Sequence, residues 1–548
     1  MSLKVPKSNN LQLFKDGYKH RQGIEETVLR NITEISRNKL IINHLGRLFV
    51  TSDAATIIRE LEVVHPAAKL LVMSSQAQEA EMGDATNAVF ILAGEMLKKA
   101  EHLLIMGLHP SEVIKGYELG AQKALEELPK LSTFSLPSPL TKPALASALR
   151  PAIASKQYGS EDILSELVAE AALAIMPANP KNFNVDNVRV VKIMGGGLAQ
   201  SKVVQGMVFG REAEGTVKNI KSGKVAVYTC PLDISQTETK GTVLLRTATE
   251  MLDFTSGEES QLSSIISEIA QSGVKVIIAG ATIGELAMHF LNRHGIAVIK
   301  VLSKFDLRRV CRVVNATPLA RVGAPTPEEA GYVDVFETTE IGGDRVTVIR
   351  QLGPGEPGYD PAGSRTEKTR TATIVLRGAT ANRLDDLERA IDDGVNVIKG
   401  LLKDPRLVPG AGSTELELAK RVDAYGSGLK GLSQHGVKKF AAALEVIPRT
   451  LAENALGGAE GNEVVSRLWA KHDEKGGETW GVDVEAETDG TLKADEHQIY
   501  DSLAAKQWAI KLATEAATAV LNVDSLIMSK PAGGPKIPKQ AGNWDEDD

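Results

Sequence analysis

The pattern of hydrophobic residues changes twice along the chain, and this change most constrains the fold. Between about residues 186 and 375, short aliphatic runs such as "VRVVKIM", "KVAVYTC" and "VKVIIAG" alternate with helical stretches, which is typical of an α/β domain. Before about residue 140, and again after "TATIVLRGA", the pattern is mainly helical. The chain has 548 residues, too many for one hydrophobic core. We therefore predict a multidomain α/β protein in which an α/β region is inserted into a helical one.

Three shorter segments have patterns of their own. In "KLIINHLGRLFVTSD", two β-rich runs flank Gly46, which predicts a hairpin. Residues 127–145 are rich in Pro and Ser and predict a linker. The polar tail "AGGPKIPKQAGNWDEDD" is expected to be disordered.

Charge and hydropathy exclude some classes of protein. A net charge of -7 argues against a nucleic-acid partner, because proteins that bind nucleic acid usually present a basic face. No apolar run is long enough to cross a bilayer, and "MSLKVPKSNN" lacks the apolar core of a signal peptide. We therefore expect a cytoplasmic protein with no membrane partner. Cys230 and Cys311 fit that compartment and are expected to be buried, inert thiols.

The stretch "EMGDATNAVFILAGEMLKKAEHLL" places an acid at the start of a helix. Its apolar residues recur at helical spacing, so the helix is expected to bury one face. From these residues alone, Asp84 or Thr86 is favoured as the helix cap, which would stabilise the helix by about 1 kcal/mol. The alternative is a phosphate site at the glycine-preceded helix N-terminus, where Asp84 would bind Mg²⁺ beside the phosphate.

Two further acids have both a structural and a catalytic explanation. Asp53 lies where a strand ends and a helix begins, so an N-cap is as good an explanation as a catalytic carboxylate. Asp393 lies away from the apolar face of "RLDDLERAIDDGVNVIKGLL", which favours a solvated position on that helix.

The stretch "VPGAGSTELELAK" places a glycine-rich turn before a helix. Thr414 and Glu417 have the spacing of a capping box, while Gly410 and Gly412 either form the turn or let a ligand approach the backbone closely. No Walker A motif is present, because the one Gly-Lys pair lacks the preceding glycine. A dinucleotide site in residues 272–302 is disfavoured because the GxGxxG spacing is missing there.

Several of these stretches occur together in one order along the chain. They are "VTSDAATIIRELEVVHPAAKLLV", "EMGDATNAVFILAGEMLKKAE", "RGATANRLDDLERAIDDGV", "VPGAGSTELELA" and "LATEAATAVLNVDSLI". In this combination the chain resembles the group II chaperonins over nearly its whole length. Other stretches, such as "CPLDISQTETKGTVLL" and "SKFDLRRVCRV", resemble one subunit of the eukaryotic cytosolic chaperonin.

The resemblance implies a GroEL-like fold with three domains. A mostly helical equatorial ATPase domain would come from both ends of the chain, followed inward by a small α/β intermediate domain and an inserted α/β apical domain with a helical protrusion near 245–272. The implied boundaries are 1–140 and 407–530 for the equatorial domain, 141–206 and 372–406 for the intermediate domain, 207–371 for the apical domain and 531–548 for a flexible tail.

The resemblance also implies an ATPase with ATP and Mg²⁺ as its ligands. Asp84 would hold the metal on the ATP phosphates, while Asp53 and Asp393 would be the catalytic acids near the attacking water. The other residues implied to contact the nucleotide are Gly83, Ala85, Thr86, Asn87, Ser155, Lys156, Gly410, Gly412 and Asp501.

As partners, the resemblance implies other chaperonin subunits in a hetero-oligomeric double ring and non-native client proteins such as actin and tubulin. ATP hydrolysis would close a lid over the client, with residues 245–272 as the lid segment.

The chain departs from the family pattern at two places. Ala85 replaces the second glycine of the family's Gly-Asp-Gly-Thr, which costs about 1 kcal/mol or more if that position has positive φ. Between Ser36 and Arg37, about a dozen family residues are missing, including a Thr-Ser-x-Gly-Pro-x-Gly loop that wraps the nucleotide. Either the sequence is incomplete here or the subunit is nucleotide-silent and serves the ring structurally.

Overall fold

The computed structural model describes residues 39–42, 46, 48–61, 63, 65–137, 139–177, 179–233, 247–352, 371–485, 489–525 and 527. The expected disordered tail, the segment around Ser36 and Arg37, and the first two residues of the expected lid segment lie outside these ranges. Within the described residues, no helix is both long enough and apolar enough to span a bilayer.

Two groups of helices, one from each end of the chain, share a single hydrophobic core. The first group is α1 (Ala54–Glu60), α2 (Pro66–Met82), α3 (Thr86–Ile105) and α4 (Pro110–Glu127). The predicted apolar stripe of α3 is buried: Val89, Met96 and Leu103 are at most 1% exposed and pack against residues from the C-terminal part of the chain. The predicted helical character of this part is confirmed.

A small α/β layer follows. It contains α5 (Lys142–Ala154), α6 (Glu161–Ala174) and the first strands of a three-stranded sheet, β4 (Val188–Met194) and β5 (Lys202–Gln205). The central strand of that sheet, "ATIVLRG", comes much later in the chain and is buried at every position, as expected for a continuous apolar run covered on both faces.

The inserted region is built on a larger sheet. Its elements are β6 (Met207–Phe209), β7 (Asn219–Tyr228), α7 (Ala248–Gln271), β8 (Val274–Ala279), α8 (Glu285–Arg293), β9 (Ala297–Lys300), α9 (Lys304–Val314), β10 (Pro318–Leu319), β11 (Gly331–Ile341) and β12 (Asp344–Arg350). The strand order is β6-β12-β11-β7-β8-β9, with β10 beside β7. Because β7, β8 and β9 are parallel, helices must connect them, and the two faces of the sheet carry separate cores. The α/β prediction is confirmed.

The chain then returns through the small layer to the helical part. The elements are β13 (Ala372–Gly378), α10 (Ala381–Lys403), β14 (Arg406–Pro409), α11 (Ser413–Gly428), α12 (Ser433–Leu444), α13 (Val446–Leu456), α14 (Gly458–His472), β15 (Trp480–Val482), β16 (Thr491–Lys493), β17 (Tyr500–Ser502) and α15 (Leu503–Leu521). The strand β13 pairs with β4 and β5, while β15 pairs with β16. Helices α11, α12 and α15 complete the core begun by α3 and α4.

The hairpin prediction is confirmed, whereas the linker prediction is wrong in part. The strands β1 (Lys39–Ile42) and β2 (Leu48–Thr51) pair antiparallel around Gly46, which has a φ of 74°. Within the expected linker 127–145, residues Phe134–Ser135 form a short strand, β3, which pairs with β14. Pro and Ser around it end the neighbouring elements but do not prevent two residues from pairing at a sheet edge.

The expected lid segment and the two cysteines are also located. Leu262, Ile266 and Ile269 of α7 are buried against the large sheet, which confirms the packed apolar stripe.

Cys230 and Cys311 are free thiols but only half-buried, so the expectation of full burial is wrong. Burial still raises the pKa of Cys311 to about 11, as expected for an unreactive thiol.

Candidate functional site

The turn between α2 and α3 has an unusual backbone. Gly83 has a φ of 71° and Ala85 a φ of 62°, both in the left-handed region. Ala85 is the N-cap of α3, and no side chain caps the helix. The predicted capping role of Asp84 or Thr86 is therefore wrong, because the left-handed residue turns the chain directly into the helix.

Two side chains of α2 fix the strained, left-handed backbone at Ala85. Gln78 Nε2 donates to the Asp84 carbonyl at 2.9 Å, and Ser75 Oγ donates to the Thr86 carbonyl at 3.2 Å. A left-handed alanine costs about 1 kcal/mol or more, and persists where the surroundings fix the backbone. Both Ser75 and Gln78 are fully buried.

Helix α10 crosses directly over this turn. A Cβ added to Gly83 would lie 2.6 Å from Asn396 Cβ and 2.7 Å from the Asp393 carbonyl oxygen, so only glycine fits. Asp393 is 8% exposed. The prediction of a solvated position for Asp393 is wrong, because α10 is covered on this side by the turn as well as on its apolar side.

Lys156 lies at the centre of a group of carboxylates. Its Nζ donates to the Gly83 carbonyl at 3.0 Å and to Asp393 Oδ2. Burial alone would lower the pKa of Lys156, but Asp393, Asp53 and Asp84 together raise it. The lysine is thus a protonated counterion for three acids.

The three acids differ in their protonation. Burial raises the pKa of Asp393 to about 7, more than Lys156 lowers it. Burial likewise raises the pKa of Asp84, with Lys156 opposing the shift. For Asp53, burial also favours the neutral acid, but Lys156 and hydrogen bonds from Thr56 and Ala55 hold its pKa below the usual value. At neutral pH, Asp53 is therefore ionised while Asp393 is close to its midpoint.

Asp53 serves as an N-cap and also faces the cluster. Its carboxylate accepts hydrogen bonds from the Ala55 and Thr56 amides at 3.4 and 3.0 Å and from Thr56 Oγ1 at 2.8 Å. The capping explanation is confirmed, and since a carboxylate can accept about four hydrogen bonds, one acceptor position is left. The neighbouring Ser52 Oγ donates to the Lys156 carbonyl at 3.1 Å.

The other side of the site is formed by strand pairing. In the antiparallel pair β14–β17, Asp501 lies opposite Val408, and the Gly410 amide donates to the Ile499 carbonyl at 2.9 Å. Gly412 has a φ of 78°, and a Cβ there would lie 2.9 Å from Pro448 Cβ. Gly412 therefore has a structural reason to be glycine, besides any contact with a ligand.

The predicted capping box after this turn is wrong. Gly412 is the N-cap of α11, so Thr414 is already inside the helix and donates to the Pro409 carbonyl at 2.6 Å. Glu417 instead accepts from Arg421 Nε at 2.8 Å. The glycine turn uses left-handed residues where a capping box would need an extended one.

Most of the predicted residues converge. The turn 83–87, Lys156, Asp53 and Asp393 form one cluster, and Gln78 joins it to the second side by donating also to the Ala505 carbonyl at 3.2 Å. Ser155 is different: it is exposed, and its hydroxyl donates to the Ala152 carbonyl at the end of α5.

The donor set suits a hard cation and phosphate. The described residues contain no group of three or more His, Cys, Asp or Glu side chains arranged to hold a metal by themselves. Asp84 could be one carboxylate ligand of Mg²⁺, an ion that usually takes one or two carboxylates and completes its shell with substrate phosphates and water. Asn87 Oδ1 is buried and has no hydrogen-bond partner among the described residues, so the side chain could still turn a polar group to a ligand.

Sequence reasoning missed the residues that hold the site together. Gln157 Nε2 donates to Asp386, which links the turn after α5 to α10. Asp386 is seven residues before Asp393, so both lie on the same face of α10, two helical turns apart. This spacing could have identified Asp386 as part of the site. Ser75 and Gln78 also lie three residues apart on one helix face.

Comparison with known proteins identifies the family of the chain. The model of the TCP-1/cpn60 chaperonin family matches residues 35–531. Over the full length of both chains, the sequence is 53% identical to the probable T-complex protein 1 subunit theta of Schizosaccharomyces pombe, 50% identical to the T-complex protein 1 subunit theta of Saccharomyces cerevisiae and 47% identical to that of Homo sapiens. The alignment with the first of these spans 561 positions, more than the 548 residues of this chain.

Proposed function

This chain belongs to the TCP-1/cpn60 chaperonin family, and on that premise we propose that it is a subunit whose ATP hydrolysis drives the folding of non-native proteins. The other subunits of a cytosolic hetero-oligomeric double ring would be its partners. Clients of the kind implied by the resemblance, such as actin and tubulin, would be enclosed when the segment 245–272 closes as a lid.

The observation that carries the proposal is the placement of Lys156 among Asp53, Asp84 and Asp393. Three buried or half-buried carboxylates within reach of one cation are costly unless their charge is compensated. Lys156 provides part of that compensation in the protein alone. Such a site gains further from a divalent cation that brings phosphate with it.

Each residue then has a defined task. Asp84 would hold Mg²⁺, which supplies positive charge against the phosphate oxygens when bound. The amides of residues 83–87 and the Lys156 ammonium would contact the phosphates, as at other helix N-termini. Gly410 and Gly412 would lie against the nucleotide, and Asp501 would accept from the ribose hydroxyls.

Asp53 and Asp393 would orient the attacking water. A general base works best with a pKa near the operating pH, and burial brings the pKa of Asp393 to about 7. Because Asp53 is committed to capping α1 with most of its acceptor positions, Asp393 is the better candidate for taking the proton.

The domain boundaries predicted from the resemblance are retained in the proposal. Residues 1–140 and 407–530 would form the equatorial ATPase domain, 141–206 and 372–406 the intermediate domain, and 207–371 the apical domain. Asp393 belongs to the second intermediate segment and Lys156 to the first, so the contact of Asp393 with Lys156 lies within the intermediate domain. Its contact with Gly83 would form when the intermediate domain closes on the equatorial one.

A nucleotide-silent ring subunit is the second candidate. What favours it is that Arg37 follows Ser36 directly, where the resemblance implies a nucleotide-wrapping loop. In that case the carboxylate cluster would only couple the two domains through Lys156.

The test is photolabelling of the intact assembly with azido-ATP. A radiolabelled α-phosphate reports how much nucleotide this subunit holds, and a radiolabelled γ-phosphate reports how much of it is still unhydrolysed. Separating the subunits after photolysis makes both readings specific to this chain. We expect the chain to be labelled and to lose the γ-label with time.

Two variants test whether the label depends on the proposed Mg²⁺ ligand. Asp84→Ala should abolish the α-label, whereas Glu81→Ala, which removes an exposed acid three residues earlier, should not change it. A chain that takes up no label while its neighbours do would favour the nucleotide-silent subunit.

A further inference from the structure

Lys506 is a buried lysine in an unfavourable place. It lies in the first turns of α15, where the positive end of the helix dipole disfavours a cation. Its side chain is 13% exposed. Burial alone would lower the pKa of Lys506, but Asp501 and Glu415 raise it, so the ammonium stays charged. Because burial and the helix dipole both disfavour a positive charge at Lys506, its protonated state depends on these two carboxylates.

One carboxylate comes from β17, which pairs with β14, and the other from α11, which follows the glycine turn. Lys506 Nζ lies 3.0 Å from Oδ2 of Asp501, the middle residue of β17, and contacts Oε1 of Glu415 in the first turn of α11. The turn Gly410–Gly412 lies between β14 and α11 and is paired with the residue before β17. Lys506 therefore ties together both sides of the proposed nucleoside pocket.

The contact with Lys506 engages one of the two carboxylate oxygens of Asp501. Lys506 occupies Oδ2, and that oxygen lies 3.3 Å from the position a Cβ on Gly410 would take. Among the described residues, no donor contacts Oδ1, and the side chain is 29% exposed. The carboxylate is thus held by one oxygen and can accept a ligand's hydroxyl hydrogen bonds with the other.

The backbone next to Lys506 is also fixed. The Ala505 carbonyl accepts a hydrogen bond from Gln78 Nε2, which also donates to the Asp84 carbonyl. Lys506 is therefore attached to the same frame as the turn that would hold Mg²⁺ and phosphate.

We propose that Lys506 is a positioning residue that orients Asp501 to recognise the vicinal hydroxyls of a ribonucleoside triphosphate. This inference rests on the proposed function, because it assumes that the pocket takes ATP. Through Glu415, Lys506 also keeps Asp501 in register with the Gly410–Gly412 turn. Without Lys506, the Asp501 carboxylate is free to rotate, and the hydrogen bonds to both hydroxyls are lost together.

A different role, in which the ammonium only attracts the triphosphate, makes another prediction. Such an attraction acts equally on ATP and on dideoxy-ATP, which lacks both ribose hydroxyls. Orientation of Asp501 acts on ATP alone. The ratio of the two affinities therefore separates the roles, whereas the affinity for ATP by itself does not.

The experiment uses the intact assembly and measures how ATP and dideoxy-ATP compete with azido-ATP for this subunit. Hydrogen bonds to a charged group should make the unmodified chain prefer ATP by roughly tenfold or more. In Lys506→Met, the preference should fall close to one, mainly through weaker ATP binding. Lys506→Arg should keep part of it, and Lys511→Met, which removes an exposed lysine of the same helix, should keep all of it.

Two further variants guard against a folding defect. Glu415→Gln combined with Lys506→Met removes the buried carboxylate that would otherwise lose its cation, and should show the same loss of preference. In Asp501→Asn the preference should already be lost, and adding Lys506→Met should not lower it further.

An unchanged preference in Lys506→Met would overturn the inference and leave the proposed function intact. If the unmodified chain takes up no label, the proposed function fails and this inference fails with it.

Discussion

Replacing Asp393 by Asn tests the catalytic assignment most directly. The amide keeps the size of the side chain but cannot take a proton. Lys156 keeps Asp53 and Asp84 as neighbouring carboxylates, so no cation is left buried without a counter-charge. We expect a folded subunit that binds azido-ATP almost as well as the unmodified chain and hydrolyses it slowly.

The magnitude follows from the kind of group that is lost. Removing a positioned general base slows a reaction by about a hundredfold or more, which is about 2.7 kcal/mol in the barrier. A solvated helix position would instead change any free energy by about 0.5 kcal/mol at most. The two expectations differ enough for the decay of the γ-label to separate them.

The pKa of Asp393 adds a second reading. At subsaturating nucleotide, the rate reports the free protein, in which burial raises the pKa of Asp393 to about 7. Because the base must be ionised, the rate should rise with pH up to about 7 and level off above it. One unit below that value, the rate should be about tenfold lower than the plateau. Asp393→Asn should lose this dependence.

Asp392→Asn is the matched control. Asp392 is the neighbouring residue of the same helix, but it is exposed, whereas Asp393 is buried against Lys156. The control should hydrolyse at the normal rate. If Asp393→Asn also lost its γ-label at the normal rate, with the same pH profile, Asp393 would have no part in the chemistry.

Three other outcomes are expected. Lys156→Met leaves the buried Asp393 without its cation and should lower the free energy of unfolding by roughly 3 kcal/mol or more. In thermal unfolding, millimolar Mg²⁺ should restore part of this loss. Deleting residues 247–260 should leave subunit hydrolysis intact while a protease digests clients that are normally enclosed; continued protection would contradict the lid assignment. Inserting the family's loop between Ser36 and Arg37 should strengthen azido-ATP labelling, and an equal signal would show that the loop is dispensable.

The architecture was predictable because it depends on periodicity. Aliphatic runs separated by helical stretches predicted the inserted α/β region, and the helix from Thr86 to Ile105 followed from its apolar stripe. The strand Phe134–Ser135 was not predictable, because two residues carry no period. It forms only because Arg406 and Leu407 lie beside it, more than 270 positions along the chain.

The residues of the candidate site could be selected by type, but their arrangement could not be predicted. Asp84, Asp393 and the glycine turn could be selected as chemical candidates, yet local reasoning favoured caps and a solvated face for them. The two cap explanations fail because left-handed residues, Ala85 and Gly412, stand at the N-cap positions. The solvated face fails because the turn at Gly83 covers Asp393. Lys156 and Asp393 are separated by 237 positions, and no local pattern reports their contact.

Ala85 shows how a departure from the family pattern can be accommodated. The structure confirms that the position has positive φ, so glycine would be the easier residue. The hydrogen bonds from Gln78 and Ser75 hold the carbonyls on either side of Ala85. These hydrogen bonds fix the turn with either glycine or alanine at position 85. Alanine makes the backbone stiffer, but its left-handed conformation costs about 1 kcal/mol. The turn that would carry Mg²⁺ and phosphate is thus built by α2, and this is why the loss of the glycine does not by itself argue for a nucleotide-silent subunit.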